Sequence, residues 1–328
     1  MRKCIANTYE IVARIGSGNS GIVYKAYHKN MNKYVVLKKV KEDIKDLVNA
    51  RAEVDVLKNL KHPYLPMVEN FVEDDGDIYT VMEFIPGNSF RQYLDAGMSF
   101  PESSVIIWTR QIASTLVYLH KQKPPIIHSD LKPGNIMLKP DGNICLIDFN
   151  ISFSVDGNNA YVTGYTKGYA SPEQIEAMKY NQNQTDRSLW KKIDKRSDIY
   201  SLGATVYHIM TGQKPEPDES GCVPDIQVLK PEINEVFASI IMKCLEPEPQ
   251  KRYQQAEDIL EDLKNMPLKS QAYRSLLKKQ RRTAVVLSAG MVLWAALAAG
   301  GYLQIEKEKQ SDYQNAIEKE EECISEGN

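Results

Sequence analysis

The sequence is organised around the stretch I-H-S-D-L-K-P-G-N, from Ile127 to Asn135, and around D-F-N, which begins at Asp148. Asp130, Lys132 and Asn135 place a carboxylate, an ammonium and an amide at positions i, i+2 and i+5, and Asp148 adds a second carboxylate. Such groups can hold Mg²⁺ and stabilise a phosphoryl group during its transfer. The alternative interpretation is an ordinary polar turn, because short motifs also occur by chance.

Composition and charge argue against several classes of protein. The chain has 328 residues, enough for one large or two ordinary domains, and a net charge of −2. No long basic stripe is present, so nucleic-acid binding is not predicted. The five cysteines form no C-x-x-C pair, which predicts neither a zinc site nor a disulfide framework. The first 16 residues lack an apolar segment, so no cleavable signal peptide is predicted and the N-terminal part is expected in the cytosol.

Residues 9–40 combine strand patterns with a glycine-rich turn. β-branched and aromatic residues alternate with polar ones in three runs, which predicts three antiparallel strands. Between the first two runs lies G-S-G-N-S-G, from Gly16 to Gly21, whose backbone N–H groups could close over phosphates. A plain glycine-rich hairpin is the alternative. The dinucleotide-binding fingerprint is disfavoured, because a strand rather than a helix follows the glycines.

These features together resemble the protein kinase family. The three glycines and Val23 match its Gly-rich loop, and V-L-K ending at Lys38 matches its third-strand lysine. The resemblance implies that Lys38 reaches the α- and β-phosphates of ATP and that Val36, on the same strand face, contacts adenine. The implied ATP-binding residues are Ile15, Gly16, Gly18, Gly21, Val23, Val36, Lys38, Met82, Glu83 and Ile85.

Two further segments belong to this implied site. Glu53, in a helical pattern, is similar to the family's glutamate that pairs with the strand lysine, although an exposed helical glutamate would look the same. The stretch E-F-I-P-G, beginning at Glu83, resembles the hinge between the two lobes of a kinase. Met82 would then be the gatekeeper, and the backbone of Glu83 and Ile85 would hydrogen-bond adenine. Pro101 follows and opens a predicted helix.

The resemblance implies a role for Asp130, Lys132 and Asn135 in the I-H-S-D-L-K-P-G-N stretch, and for Asp148 after it. Asp130 would orient the substrate hydroxyl and accept its proton, and Lys132 would neutralise charge on the γ-phosphate. Asn135 and Asp148 would bind Mg²⁺, with Mn²⁺ as an alternative ion. The L-K-P form after Asp130 looks like the Ser/Thr-specific branch of the family. The implied catalytic residues are Asp130, Lys132, Lys38 and Glu53, and the implied metal ligands are Asn135 and Asp148.

Two residues depart from the family's pattern. Asn150 replaces the glycine of D-F-G, which raises the alternative of an inactive, nucleotide-binding pseudokinase, although asparagine tolerates a positive φ. Ser129 replaces the arginine of H-R-D, which usually binds a phosphate on the activation segment. We therefore hypothesise that activity does not depend strongly on a phosphorylated activation segment. Replacement of Thr163 and Thr166 together by alanine would contradict this if it abolished activity but not ATP binding.

The second half of the kinase-like region carries supporting matches. The activation segment, from Asp148 to Glu173, ends in S-P-E, and Gln174 completes an S-P-E-Q block that resembles the variant of A-P-E in eukaryotic-like Ser/Thr kinases of bacteria. Asp198 matches the buried aspartate that supports the backbone of the family's catalytic loop, which corresponds here to the stretch from Ile127 to Asn135, and Arg252 would pair with Glu173. Residues 179–195 include a polar insert, interpreted as a surface loop or as a docking segment for a substrate or partner.

The C-terminal part is predicted to anchor the chain in a membrane. After the basic run K-K-Q-R-R at residues 278–282 come 23 residues without a charge, from Thr283 to Ile305. A helix of that length reaches about 34 Å, enough for a hydrocarbon core of about 30 Å. The basic run precedes the span, which predicts a cytoplasmic kinase domain. A buried helix of a soluble domain is the alternative. Residues 306–328 are acidic and too short for a folded domain, and Cys323 could link two chains.

The sequence therefore predicts an α+β chain with the two-lobe protein-kinase fold, followed by a single transmembrane helix. A small β-rich N-terminal lobe with one helix would cover about residues 9–84, and a larger helical C-terminal lobe about residues 88–266, within a kinase domain of residues 1–267. Residues 268–282 would link this domain to the plasma membrane. The resemblance implies a Ser/Thr kinase that uses ATP and Mg²⁺ on protein substrates, itself included, with the lipid bilayer and a second copy as partners. A pseudokinase scaffold and a small-molecule kinase are the alternatives.

Overall fold

The computed structural model describes residues 3–18, 21–39, 58–148, 152–153, 166–181, 193–219 and 221–269, and residues 275, 279, 282, 291, 300, 303–311 and 315. The chain divides into two compact units, Met1–Met266 and Pro267–Asn328. All candidate catalytic and binding residues belong to the first unit.

The N-terminal part of the first unit is an antiparallel sheet. Its strands are β1 Cys4–Ile5, β2 Tyr9–Gly18, β3 Gly21–His28, β4 Lys33–Lys39, β5 Val68–Asp74 and β6 Asp77–Glu83, in the spatial order β1-β2-β3-β4-β6-β5. Alternate side chains of the central strands, such as Val35, Leu37 and Val81, pack into a core on one face. Val36 and Lys38 point to the other face, as predicted from strand alternation.

The start of this sheet and the end of β6 both differ from the sequence-based prediction. The sheet begins before residue 9, because β1 pairs Cys4 with Glu10; a strand of two residues is too short for a detectable alternation. The sequence pattern predicts a strand from Asp77 to Ile85, but β6 ends at Glu83. The earlier end follows from Pro86, which lacks an N–H for a ladder and also restricts the residue before it.

The C-terminal part of the first unit is mainly helical. The helices described from residue 90 to residue 269 are α1 Phe90–Asp95, α2 Glu102–His120, α3 Pro172–Asn181, α4 Lys195–Thr211, α5 Ile226–Leu229, α6 Glu235–Cys244 and α7 Ala256–Lys269, of which α7 ends three residues beyond Met266. α4 is buried on all sides from Ser197 to Met210, which makes it the centre of this lobe. Asp194 caps its first turn, and Gly212 ends it with a φ of 72°.

Short strands after α2 position the catalytic loop. The helix predicted to open at Pro101 is α2, and its spaced apolar residues, such as Trp108 and Leu116, are buried. β8 Ile126–Ile127, β9 Ile136–Leu138 and β10 Ile144–Leu146 follow, and pairing gives the sheets β10-β9-β7 and β11-β8, where β7 is Asn88–Ser89 and β11 is Ser152–Phe153. The catalytic loop therefore connects β8 to β9, and Asp148 lies two residues beyond the end of β10.

Among the described residues, no helix is both long and apolar enough to cross a membrane. The predicted span, residues 283–305, lies outside the described residues except at 291, 300 and 303–305. Most of the predicted linker, residues 268–282, and of the predicted tail, residues 306–328, also lies outside them. Residues 182–192 of the insert are likewise not described.

Candidate active site

In the catalytic loop, two predicted site residues, Lys132 and Asn135, bind the carboxylate of a third, Asp130. Asp130 is 9% exposed, and Lys132 Nζ donates to its Oδ2 at 2.6 Å. Asn135 Nδ2 donates to the same oxygen at 3.1 Å and to the Asp130 carbonyl oxygen at 2.8 Å. The 3-10 turn Pro133–Asn135 returns Asn135 toward Asp130, and its leading proline fixes φ. Two side chains of the same loop therefore orient the Asp130 carboxylate.

Thr166 is a site residue that the sequence reasoning named only as a phosphorylation candidate. Its Oγ1 donates to Asp130 Oδ1 at 2.8 Å and accepts from Lys132 Nζ at 2.9 Å. The signal that could have found it is its place at the start of the block that ends in S-P-E-Q. Because Thr166 contacts the site, the double alanine substitution would test more than phosphorylation. Replacement of Thr163 alone, which lies outside the described residues, is the cleaner test.

A buried carboxylate of α4 fixes the backbone of the catalytic loop, as predicted. Asp198 is fully buried and accepts from the backbone N–H groups of His128 and Ser129, both at 2.9 Å. His120 Nε2 lies 2.9 Å from its Oδ2. Burial acts to raise the pKa of the Asp198 carboxyl, but the hydrogen bonds and the charge of His120 outweigh it, so that the net shift is downward. The ionised form is therefore favoured at the base of the loop.

An ion pair joins the N-terminal sheet to the residues after β10. Lys38 Nζ, on β4, donates to Asp148 Oδ1. Burial acts to raise the pKa of the Asp148 carboxyl, and the charge and hydrogen bond of Lys38 overcome this, so that the pKa is lowered. Asp148 has a φ of 59°, in the left-handed region. Glu53 lies outside the described residues, so its pairing with Lys38 stays a prediction.

The predicted glycine-rich turn from Gly16 to Gly21 is shorter in the structure, because β2 continues to Gly18 and β3 begins at Gly21. Gly18 pairs with Gly21, and residues 19–20 between them are not described. Gly21 has a φ of 118°, and a Cβ there would lie 2.2 Å from the carbonyl oxygen of Lys39. Only glycine fits that position, because any side chain would collide with the backbone of β4. Ile15, at the start of the turn, is 51% exposed.

The predicted nucleotide residues of the strands share one face of the sheet. Val23 pairs with Lys38, and Met82 pairs with Val36. Directly paired residues of antiparallel strands point to the same side, and Val36 and Lys38 are two positions apart on β4. The four side chains therefore form one surface. Gly16, which pairs with Val23, lies at its edge.

The predicted hinge begins at Glu83, the last residue of β6. The Glu83 N–H donates to the Met67 carbonyl oxygen at 2.9 Å, and the Glu83 carboxylate accepts from the Met67 N–H at 3.2 Å. The Glu83 N–H is thus engaged within the protein, which limits the predicted adenine contact of this residue to its carbonyl oxygen. Ile85, the second predicted contact, is 8% exposed.

The end of the activation segment is tied to the helical lobe by a buried ion pair, as predicted. Arg252 Nη1 and Nη2 donate to the two carboxylate oxygens of Glu173 at 2.8 and 2.9 Å, and Ser197 Oγ donates at 2.7 Å. Burial acts to raise the pKa of the Glu173 carboxyl, but the Arg252 hydrogen bonds and charge lower it overall. The segment that carries Thr166 is thereby anchored at its far end.

A profile of the protein kinase domain matches residues 9–265, which is most of the chain. The chain belongs to the protein kinase family. The kinase resemblance drawn from the glycine-rich turn, the catalytic loop and the S-P-E-Q block is therefore confirmed.

Relatives of this kinase chain include bacterial serine/threonine-protein kinases. PrkC of Bacillus subtilis is 27% identical over 279 residues, which cover 80% of this chain and 41% of PrkC. PknF of Mycobacterium tuberculosis is 29% identical over 339 residues, which cover 88% of this chain and 65% of PknF. The chain thus spans less than two thirds of each relative. A crystal structure of Rad53 in complex with AMP-PNP matches with a TM-score of 0.62 and 25% identity, covering 77% of this chain and 64% of the Rad53 chain.

The kinase site offers oxygen ligands that suit Mg²⁺. Asp148 carries a carboxylate, and Asn135 carries an amide oxygen on a side chain whose nitrogen is bound to Asp130. In the described part of the chain, no group of three or more His, Cys, Asp or Glu side chains could hold a metal ion. Mg²⁺ does not need such a group, because proteins usually bind it with one or two carboxylates together with water and substrate phosphates. These residues therefore fit an ion that binds together with ATP.

Proposed function

We propose that the chain is a Ser/Thr protein kinase, which transfers the γ-phosphoryl group of ATP to serine and threonine hydroxyls of proteins. One observation carries the proposal: the Asp130 carboxylate accepts a hydrogen bond from a threonine hydroxyl, Thr166 Oγ1, at 2.8 Å. This contact demonstrates that an aliphatic hydroxyl fits against that carboxylate. The names of the relatives, serine/threonine-protein kinases, support the same reaction.

The residues of the catalytic loop would divide the work of the transfer. Asp130 would orient the substrate hydroxyl and accept its proton while Thr166 stays hydrogen-bonded to its Oδ1. Lys132 donates to Asp130 and Thr166, so its ammonium lies where negative charge would develop on the transferred group. The S-P-E-Q block, anchored through Glu173, favours a peptide substrate over a small molecule.

The nucleotide would bind against the sheet face that carries Val36 and Lys38. Lys38 would exchange its present partner, Asp148, for the α- and β-phosphates, which frees that carboxylate as an ion ligand together with Asn135. Mg²⁺, or Mn²⁺ in its place, would neutralise phosphate charge when it is bound. The Rad53 complex with AMP-PNP supports nucleotide binding by this fold.

The membrane part of the proposal rests on the sequence. Residues 283–305 carry no charge and would form one transmembrane helix, after the basic run at residues 278–282. The kinase domain would then face the cytoplasm at the plasma membrane, and residues 306–328 would lie outside. The lipid bilayer is thus a proposed partner, and two chains could pair and phosphorylate each other.

The full chain, purified in detergent, tests the reaction. Labelled ATP and Mg²⁺ are added with a generic basic protein, beside the matched variant Asp130→Asn. We expect label on serine and threonine of the basic protein and of the kinase itself, and at most a trace with Asp130→Asn. Tight nucleotide binding by the wild-type chain without any transfer would instead favour the pseudokinase scaffold.

Cysteine labelling in intact cells tests the membrane orientation. A thiol reagent that cannot cross membranes should label Cys323 but not Cys222, which is exposed on the kinase domain. Permeabilised cells provide the control, because both thiols should then react. Labelling of Cys222 in intact cells, or protection of Cys323 there that persists after a reductant has opened any disulfide, would contradict the proposed topology.

A further inference from the structure

Gln174, the last residue of the S-P-E-Q block, contacts the catalytic loop directly. It is fully buried, and its Nε2 donates to the carbonyl oxygen of Ser129 at 3.0 Å. Its Oε1 accepts from the Ser171 N–H at 3.0 Å and from Ser171 Oγ at 3.1 Å. Both ends of the amide are therefore engaged, one with the catalytic loop and the other with the end of the activation segment.

Ser129 is the residue that this contact would control. It precedes Asp130 and has a φ of 66°, a conformation that non-glycine residues hold only where their surroundings fix it. Its N–H donates to Asp198, and its carbonyl oxygen accepts from Gln174. Hydrogen bonds from two separate elements thus fix both polar groups of the Ser129 backbone, and with them the direction in which Asp130 leaves the chain.

Gln174 is itself held in place by its neighbours. Glu173 is bound on both carboxylate oxygens by Arg252, and Ser171 supplies two donors to the Gln174 amide. The amide carries no charge, so neither a phosphate nor salt is needed to bring it to the loop. The activation segment and the catalytic loop are thus joined by a neutral contact at the position, Ser129, where the family usually has a phosphate-binding arginine.

We propose that Gln174 is a positioning residue for catalysis, which couples the peptide-binding segment to Asp130 through the Ser129 carbonyl group. This inference rests on the proposed kinase function and deepens it. It predicts that the contact affects the rate of transfer rather than the binding of nucleotide, because the predicted nucleotide residues lie mainly on the N-terminal sheet and the hinge after it.

The substitution Gln174→Glu tests the donor directly, because the two side chains have the same shape. A protonated carboxyl can donate to the Ser129 carbonyl oxygen as the amide does. An ionised carboxylate has no proton to donate, so its oxygen and the Ser129 carbonyl oxygen, both acceptors, would repel each other. Burial raises the pKa of a carboxyl at such a place. We expect the ratio of variant to wild-type kcat to be near one at about pH 5.5 and to fall about tenfold by about pH 8.5.

Two further variants complete the comparison in the full chain. Gln174→Met removes the donor at every pH, and we expect it to lower kcat about tenfold throughout. Gln227→Glu adds the same charge at an exposed position of α5, and its ratio to wild type should stay flat. Nucleotide affinity, measured at each pH, should agree with the wild-type value within about twofold, since loss of folding would lower it.

Three results would overturn the role proposed for Gln174. An active wild-type enzyme whose kcat is left unchanged by Gln174→Met at every pH would overturn the positioning role, whatever the pH profile of Gln174→Glu. A fall in kcat that tracks a fall in nucleotide affinity would assign Gln174 to structural stability alone, which also overturns it. A wild-type chain that binds nucleotide but transfers no phosphate would overturn the proposed function itself, and this inference with it.

Discussion

Thr166→Val should slow phosphoryl transfer while leaving nucleotide binding intact. Valine has the shape of threonine but lacks the hydroxyl, so the substitution deletes the hydrogen bonds to Asp130 at 2.8 Å and from Lys132 at 2.9 Å. Asp130 and Lys132 would keep their direct contact at 2.6 Å. The segment that carries Thr166 would then lose its only described side-chain link to the catalytic carboxylate.

The magnitude follows from these two contacts. A hydrogen bond to a charged group contributes about 1.5–3 kcal/mol, so that two of them could supply roughly 3–6 kcal/mol. Part of this is recovered because Lys132 and Asp130 still pair and water can enter the gap. If about 2 kcal/mol is lost in the transition state, kcat/KM for a peptide falls roughly 30-fold.

The assay compares three forms of the full chain. Steady-state phosphorylation of one peptide gives kcat/KM for wild type, Thr166→Val and Thr166→Ser, and fluorescence titration gives the nucleotide affinity of each. Serine keeps the hydroxyl, so its kcat/KM should stay within about threefold of wild type. The reasoning fails if valine is as active as serine, or if serine is as poor as valine, since the hydroxyl would then not be the group that matters.

Other substitutions test the frame around the site. Asp198→Asn should lower the free energy of unfolding by about 3 kcal/mol, measured by urea titration, because it leaves buried donors unpaired. The folded-state pKa values of Asp198 and Glu173 are lowered, so the unfolded chain binds more protons in acid. The stability that these two carboxylates contribute should therefore be fully present above about pH 5 and be lost as the pH falls below about 4. Melting temperatures measured across this pH range check this expectation, and Glu173→Gln should make their pH dependence shallower. Gly21→Ala should weaken nucleotide binding in a titration, because its Cβ would clash with Lys39. Thr163→Ala should keep peptide phosphorylation within about twofold of wild type if activity is independent of that hydroxyl.

The sequence predicts best those parts of the site that lie close together along the chain. Asp130, Lys132 and Asn135 fall within one loop, so that a short turn suffices to bring their side chains into contact. Strand alternation likewise determines which face Val36 and Lys38 share, since it depends only on the period of two. Such relationships depend on local backbone geometry, which residue spacing encodes.

Contacts between distant segments were predicted only where the family resemblance pointed to them. Arg252 with Glu173 and Asp198 with the catalytic-loop backbone were predicted that way and are present. Thr166 and Gln174 reach the catalytic loop from more than 30 positions away, and no local pattern reports where an uncharged hydroxyl or amide will point. Their contacts depend on how the activation segment packs on α4, which is a property of tertiary structure.

The two aspartates of the catalytic region show how the source of hydrogen bonds separates a structural carboxylate from a reactive one. Asp198 is bound by two backbone N–H groups of the loop and by His120, and these donors cannot leave without unfolding the loop. Asp130 is bound by the side chains of Lys132 and Thr166 rather than by backbone groups, and a carboxylate has enough lone pairs to accept a further hydrogen bond from a substrate hydroxyl. Full burial makes any loss of donors costly for the first carboxylate, whereas the second keeps partial exposure. The sequence shows an aspartate at both positions. The hydrogen-bond donors around each carboxylate distinguish the structural aspartate, Asp198, from the one that can take part in the reaction, Asp130.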